Sequence, residues 1–152
     1  MTRKPQFRAT GVAAGLCLAL AAAGCGGDED KGLSKAELVS KGNAICKRHG
    51  EKITAAASKV LAGGSLPSPA VFGKLANETI IPEYTAQISE LSALEPGSEQ
   101  ASGYKAWLAQ SRATSAQMKR NPRIITNPAS SQRVNGEARA LGFSSDCNVG
   151  PG

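Results

Sequence analysis

Leu33-Ser34-Lys35-Ala36-Glu37-Leu38-Val39-Ser40-Lys41-Gly42-Asn43-Ala44-Ile45-Cys46 is the stretch that decides the fold. Ser34 followed three residues later by Glu37 is a capping box, which satisfies two backbone N–H groups that a helix start leaves without partners. Leu33 and Leu38 flank it as a hydrophobic staple. Leu38, Ile45, Ile53 with Ala56, and Val60 then recur at three- to four-residue spacing, with Cys46 beside them. That period winds onto one face of an α-helix. The helix is expected to run to about Ala62, where Gly63-Gly64 stops it.

Towards the C terminus the same grammar repeats. Pro67-Ser68-Pro69 offers an N-cap and a proline at the tolerated first position, and Val71, Phe72, Leu75, Thr79 and Ile80 form an inner face. Pro82 lacks an N–H and is expected to kink this helix or start a new one after Ile81. The pattern resumes through Ile81, Tyr84, Ile88, Leu91 and Leu94 and ends at Glu95-Pro96-Gly97. A third helix runs from Ser98 to Asn121-Pro122, with Tyr104, Trp107, Leu108, Ser111, Ser115 and Met118 on one side. Ile124-Ile125 reads as an irregular connector between prolines. Asn127-Pro128 caps a fourth helix through Val134, Ala138 and Leu141, with Gly142 as its left-handed C-terminal residue and Phe143 folding back. No stretch alternates like a strand. The expected fold class is all-α, a four-helix up-down bundle over residues 34–152.

The other end of the chain reads as an address. Arg3, Lys4 and Arg8 precede an uncharged segment, Ala9 to Ala23. About 15 apolar residues are too few for a span that needs ~20 and suit the core of an export signal. Ala22-Ala23-Gly24-Cys25 resembles the lipobox of bacterial lipoproteins, with Ala22 where Leu is commonest. The resemblance implies cleavage after residue 24 and a diacylglycerol on Cys25. It thus implies a palmitate-type lipoprotein on the extracytoplasmic side of the cell membrane, with membrane lipid as its first partner. Two acyl chains give stable anchoring where one is marginal. Residues 1–24 are then signal peptide and 25–33 a flexible tether, whose seven polar and glycine residues, Gly26 to Gly32, reach only ~15 Å.

Removing the signal takes three of the 18 basic residues and none of the 12 acids, so the net charge falls from +6 to +3. The high overall charge is therefore not a nucleic-acid footprint. Cys17 leaves with the signal and Cys25 carries lipid. Cys46 and Cys147 remain as an even pair in an oxidising compartment, where one disulfide is the default; free thiols or an intermolecular bridge are the alternatives. Asn43-Ala-Ile-Cys46, the Ala- and Lys-rich middle, and Ala138-Arg-Ala-Leu-Gly-Phe-Ser-Ser-Asp-Cys147 look like small uncharacterised lipoproteins of high-GC Gram-positive bacteria. That resemblance implies a helical domain with a single bridge and brings no activity with it.

Candidate chemistry is sparse. His49 is the only histidine, and Cys46-x-x-His49 supplies two zinc ligands where four are needed. It is expected to be exposed, among Lys47, Arg48, Glu51 and Lys52. Paired carboxylates for glycoside cleavage could be drawn from Glu78, Glu83, Glu90, Glu95 and Glu99. Glu83 and Glu90 lie seven apart on one helix face, a spacing that is equally the polar side of an amphipathic helix. No serine sits in a Gly-x-Ser-x-Gly elbow, and Gly63-Gly64 precedes no phosphate-binding Lys-Ser/Thr. No catalytic residue, cofactor or metal follows, and the chain is read as a non-enzyme. Lys47-Arg48-Lys52 and Lys119-Arg120 with Arg123 are solvated faces or contacts for anionic head groups and wall polymers. They lack the interleaved aromatics that single-stranded nucleic acid requires. Tyr84, Tyr104 and Trp107 fit a core by spacing, or a groove for an apolar ligand if Pro82 opens the bundle. The expected function is non-enzymatic binding or scaffolding at the envelope, towards another envelope protein or an anionic wall polymer. A small-molecule carrier with its pocket near Pro82 comes second, and a hydrolase third.

Overall fold

A computed structural model describes residues 32–62, 64 and 66–150. The export segment, the lipobox and Cys25 lie outside the described residues. Helix α1 covers Lys35–Leu61 and starts at Ser34 with both bonds of the capping box formed. Glu37 N–H donates to Ser34 Oγ at 3.3 Å, and Ser34 N–H donates to Glu37 Oε2 at 2.9 Å. The tether expected over 25–33 ends earlier than that. Leu33 N–H donates to Glu95 O (2.7 Å) and Leu33 O accepts from Gly97 N–H (2.8 Å). Gly32 lies so close that a Cβ there would meet Pro96 and Gly97 backbone at 2.5 Å. The corner before the next long helix thus grips the entrance to α1.

Helix α2 (Pro69–Leu75), capped by Ser68, runs through a π-helical turn (Ala76–Ile80) into α3 (Ile81–Leu91). The helix restarts at Pro82, which occupies the first turn of α3, and the turn before it widens, with Ile81 N–H donating to Ala76 O five residues back. A π turn absorbs the register change that the missing proline N–H and its ring impose. Helix α4 spans Ser98–Arg120, a 3-10 turn covers Pro122–Thr126, and α5 spans Pro128–Leu141 with Asn127 as N-cap. The result is an all-α four-helix up-down bundle, counting α2–α3 as one arm, and the described residues contain no strand. No helix among them is long and apolar enough to cross a membrane.

Consecutive helices pack on one another, while the last closes on the first through the tail. Gly142 adopts φ +93°, Phe143 N–H reaches back to Ala138 O and Gly142 N–H to Arg139 O, a Schellman ending. Phe143 then enters the core against Tyr104 and Trp107, with ring centroids 6.1 and 4.8 Å away. It lies against Gly42 of α1 so closely that a Cβ would fall 2.4 Å from its ring. Ser144 N–H donates to Asn43 Oδ1 (2.9 Å). A 3-10 turn at Ser145–Cys147 brings Cys147 into a disulfide with Cys46, 101 residues earlier. Buried Asn135 finishes the docking: its amide donates to Val149 O (3.1 Å) and its carbonyl accepts from Val149 N–H (2.8 Å).

Candidate functional site

Two features stand out along the seam between α1 and α3. The first centres on His49, and here an expectation is overturned. His49 is 2 % exposed, not a surface residue. Arg48, His49 and Lys52 occupy adjoining positions on α1, and Glu83 and Glu90 recur seven residues apart on α3, so both sets face across one seam. His49 Nδ1 lies 2.6 Å from Glu83 Oε2 and Nε2 lies 3.1 Å from Glu90 Oε1. A neutral imidazole donates from one nitrogen only, and the imidazolium from both. Lys52 Nζ reaches Glu83 at 3.1 Å, and Arg48 pairs with Glu90.

The His49 contact holds each carboxyl below its ordinary value, against the opposing pull of desolvation, with Lys52 assisting at Glu83 and Arg48 at Glu90. That direction suits carboxylates fixed as anions and is the reverse of what a general acid needs. The pair that the sequence offered for glycoside cleavage is therefore bridged by an imidazole and neutralised by two cations. This arrangement locks two helices together.

The second feature is a cleft of about 990 Å³ bounded by α1, α3 and the C-terminal tail. Its buried floor is Tyr84, Gln87, Met118, Ile125 and Val149. Ile53 and Ile80 rise at its sides, and Lys47, Glu51 and Asp146 stand exposed around it. Burial raises the Tyr84 phenol well above its ordinary value, although the neighbouring Ser111 hydroxyl pulls the other way. Neither hydroxyl has a hydrogen-bond partner of good geometry, and nor does the buried Asn148 Oδ1 in the cleft wall.

Of the three aromatics read as a possible groove, only Tyr84 lies in this cleft. Tyr104 and Trp107 are core residues, their rings 5.6 Å apart, and the Tyr104 hydroxyl donates to Leu91 O at 2.7 Å. Successive turns of α4 aim both at Phe143, which fills the space a groove would need. The depression beside Pro82 is smaller, about 500 Å³. Cys46 and Cys147 meet as the bridge, on which Gln87 Nε2 also rests at 3.5 Å. The basic groups do not form one patch: Arg48 and Lys52 are spent on Glu90 and Glu83, and Lys47 borders the cleft.

Ile125 and Val149 escaped the sequence reading because neither lies in a segment with a period: Ile125 belongs to the Ile124-Ile125 connector and Val149 to the tail. A lone valine in the polar tail Asn148-Val149-Gly150 was the available signal. No protein-family model, curated protein or solved structure matches the chain.

Proposed function

We propose that this chain is a non-enzymatic binding domain, anchored through acylated Cys25 on the extracytoplasmic side of the cell membrane, whose cleft takes a small, largely apolar molecule. One observation carries the ligand reading. The cleft is at the upper end of the size range of small-molecule sites and is apolar at its floor, with charge confined to exposed positions around it. The carboxylates bordering it, Glu51 and Asp146, belong to that exposed set, and the one buried phenol is held neutral. These features favour holding a molecule over transforming it. The membrane placement is supported by the lipobox and the charged, short apolar leader.

Native mass spectrometry of the lipidated protein, extracted from its own envelope, tests this reading. A non-covalent small-molecule adduct is expected on the wild type, and Ala57→Trp, which fills the cleft from α1, should remove it without lowering the melting temperature. A wild type carrying no adduct, but capturing an envelope protein or wall polymer, would instead support scaffolding.

A further inference from the structure

The opposite face of α3 carries a second, chemically different groove. Thr85, Ser89 and Ser92 recur along α3, and Arg112, Ser115 and Lys119 recur along α4, each set on one helical face. They line two adjoining depressions of about 410 and 500 Å³, which share Thr85, Ser89 and Lys119. No lining residue is acidic. The floor is organised: Thr85 Oγ1 donates its one proton to Ile81 O at 2.7 Å, so Ser115 Oγ, 3.0 Å away, donates to Thr85.

The Arg112 guanidinium is aimed rather than loose. Its Nη2 donates to Ser92 Oγ at 2.6 Å, and Ser92 in turn donates to Ile88 O at 2.6 Å. That contact uses one of five guanidinium donors. Among the described residues neither Arg112 nor Lys119 has a carboxylate partner, whereas Arg48, Lys52 and Arg133 all do. Two cations without counter-charges therefore share an acid-free groove floored by hydroxyls.

We propose that this α3–α4 groove binds a phosphate group, with Arg112 and Lys119 supplying charge and the Ser89 hydroxyl supplying a further donor. A guanidinium fork matches two phosphate oxygens, and Lys adds a point charge. The phosphate belongs either to a soluble small molecule or to a lipid head group. The site is independent of the apolar cleft, which lies across α3.

The test uses the full chain in dodecyl maltoside micelles, which carry no phosphate, titrated calorimetrically with inorganic phosphate and glycerol 3-phosphate. In parallel, the same micelles are titrated with dihexanoyl phosphatidylglycerol and with dihexanoyl phosphatidylcholine, so that the acyl anchor on Cys25 cannot carry the signal. Saturable binding to the soluble probes assigns a soluble ligand, and saturable binding to phosphatidylglycerol alone assigns a head group. In either case Arg112→Gln and Lys119→Gln should each weaken binding about tenfold, while Lys105→Gln, elsewhere on α4, leaves it unchanged. All three are exposed, so folding is not at stake. Absence of saturable binding in both arms overturns the proposal. So does an equal loss in Lys105→Gln, which would mean unspecific attraction to a basic surface.

Discussion

From Lys35 to His49, α1 buries Leu38, Gly42, Cys46 and His49, whereas from Gly50 to Leu61 it buries no residue fully. Both halves are amphipathic helix, and the apolar stripe through Ile53, Ala56 and Val60 continues that of the first half. What differs is the covering. The first half lies under α3, Phe143 and the disulfide-tied tail. The second half has α2 beside it, seven residues of which none is buried. Ile53 becomes cleft wall, Ala56 and Val60 line a separate depression against α2, and at that end of the molecule Leu61, Val71 and Leu66, the last 91 % exposed, stand in the open. A hydrophobic period therefore states which face is apolar without saying what will meet it.

The contrast can be broken most forcefully at the bridge. Replacing Cys46 and Cys147 by serine should cost about 2–5 kcal/mol, since the closed loop of roughly 100 residues is near the upper end of the chain-entropy model. Thermal unfolding with and without reductant gives the size of the effect. Hydrogen exchange gives its place: the tail and the first half of α1 should lose protection, and residues 50–61 should change little. Uniform loss along α1 would show that the halves are not distinct.

A smaller effect comes from two glycines of the same helix. Gly42→Ala drives a Cβ into Phe143, and overpacking of about 1–3 kcal/mol should outweigh the gain in helix propensity. Gly50→Ala meets nothing within 4 Å and should stabilise by about 0.5–1 kcal/mol. Denaturant unfolding of both variants checks the signs, and equal signs would undo the comparison.

The least effect is expected from acid. Glu83 and Glu90 ionise below their ordinary value near 4.5 in the fold, so their contribution is complete above that pH and lost as pH falls through the lower folded values. Melting temperature followed from pH 6 to pH 3 should drop less in the Glu83→Gln/Glu90→Gln double variant than in the wild type. Because these ion pairs are the last firm hold on α1 before its open half, exchange at 50–61 should rise first.

Much of this architecture is legible in the sequence, for local reasons. Ser34 with Glu37, Asn127-Pro128 and Gly142-Phe143 act through neighbours a few residues away, and all three form as read. The Cys46–Cys147 bridge follows from cysteine parity. His49 was misread because its immediate neighbours are charged, while its true partners lie 34 and 41 residues on. The clue was a match of patterns, bases at 48 and 52 against acids at 83 and 90. Gly42 carries no signal, because its need is set by a ring 101 residues away. Tyr104 and Trp107 show the same limit, since their spacing names a face and only Phe143 decides that the face is core. Cleft residues such as Val149 are fixed by Asn135, a contact between a helix and a tail that no periodicity encodes.

The docked tail also sets an order in time. Residues 145–150 close the cleft and follow every other element of the described fold, so they are made after all of it. Until they dock and Cys147 joins Cys46, the cleft lacks both this wall and the Val149 part of its floor. An occupant of the kind proposed would therefore meet its complete site only after the bridge has formed, and its presence would report that the tail has docked.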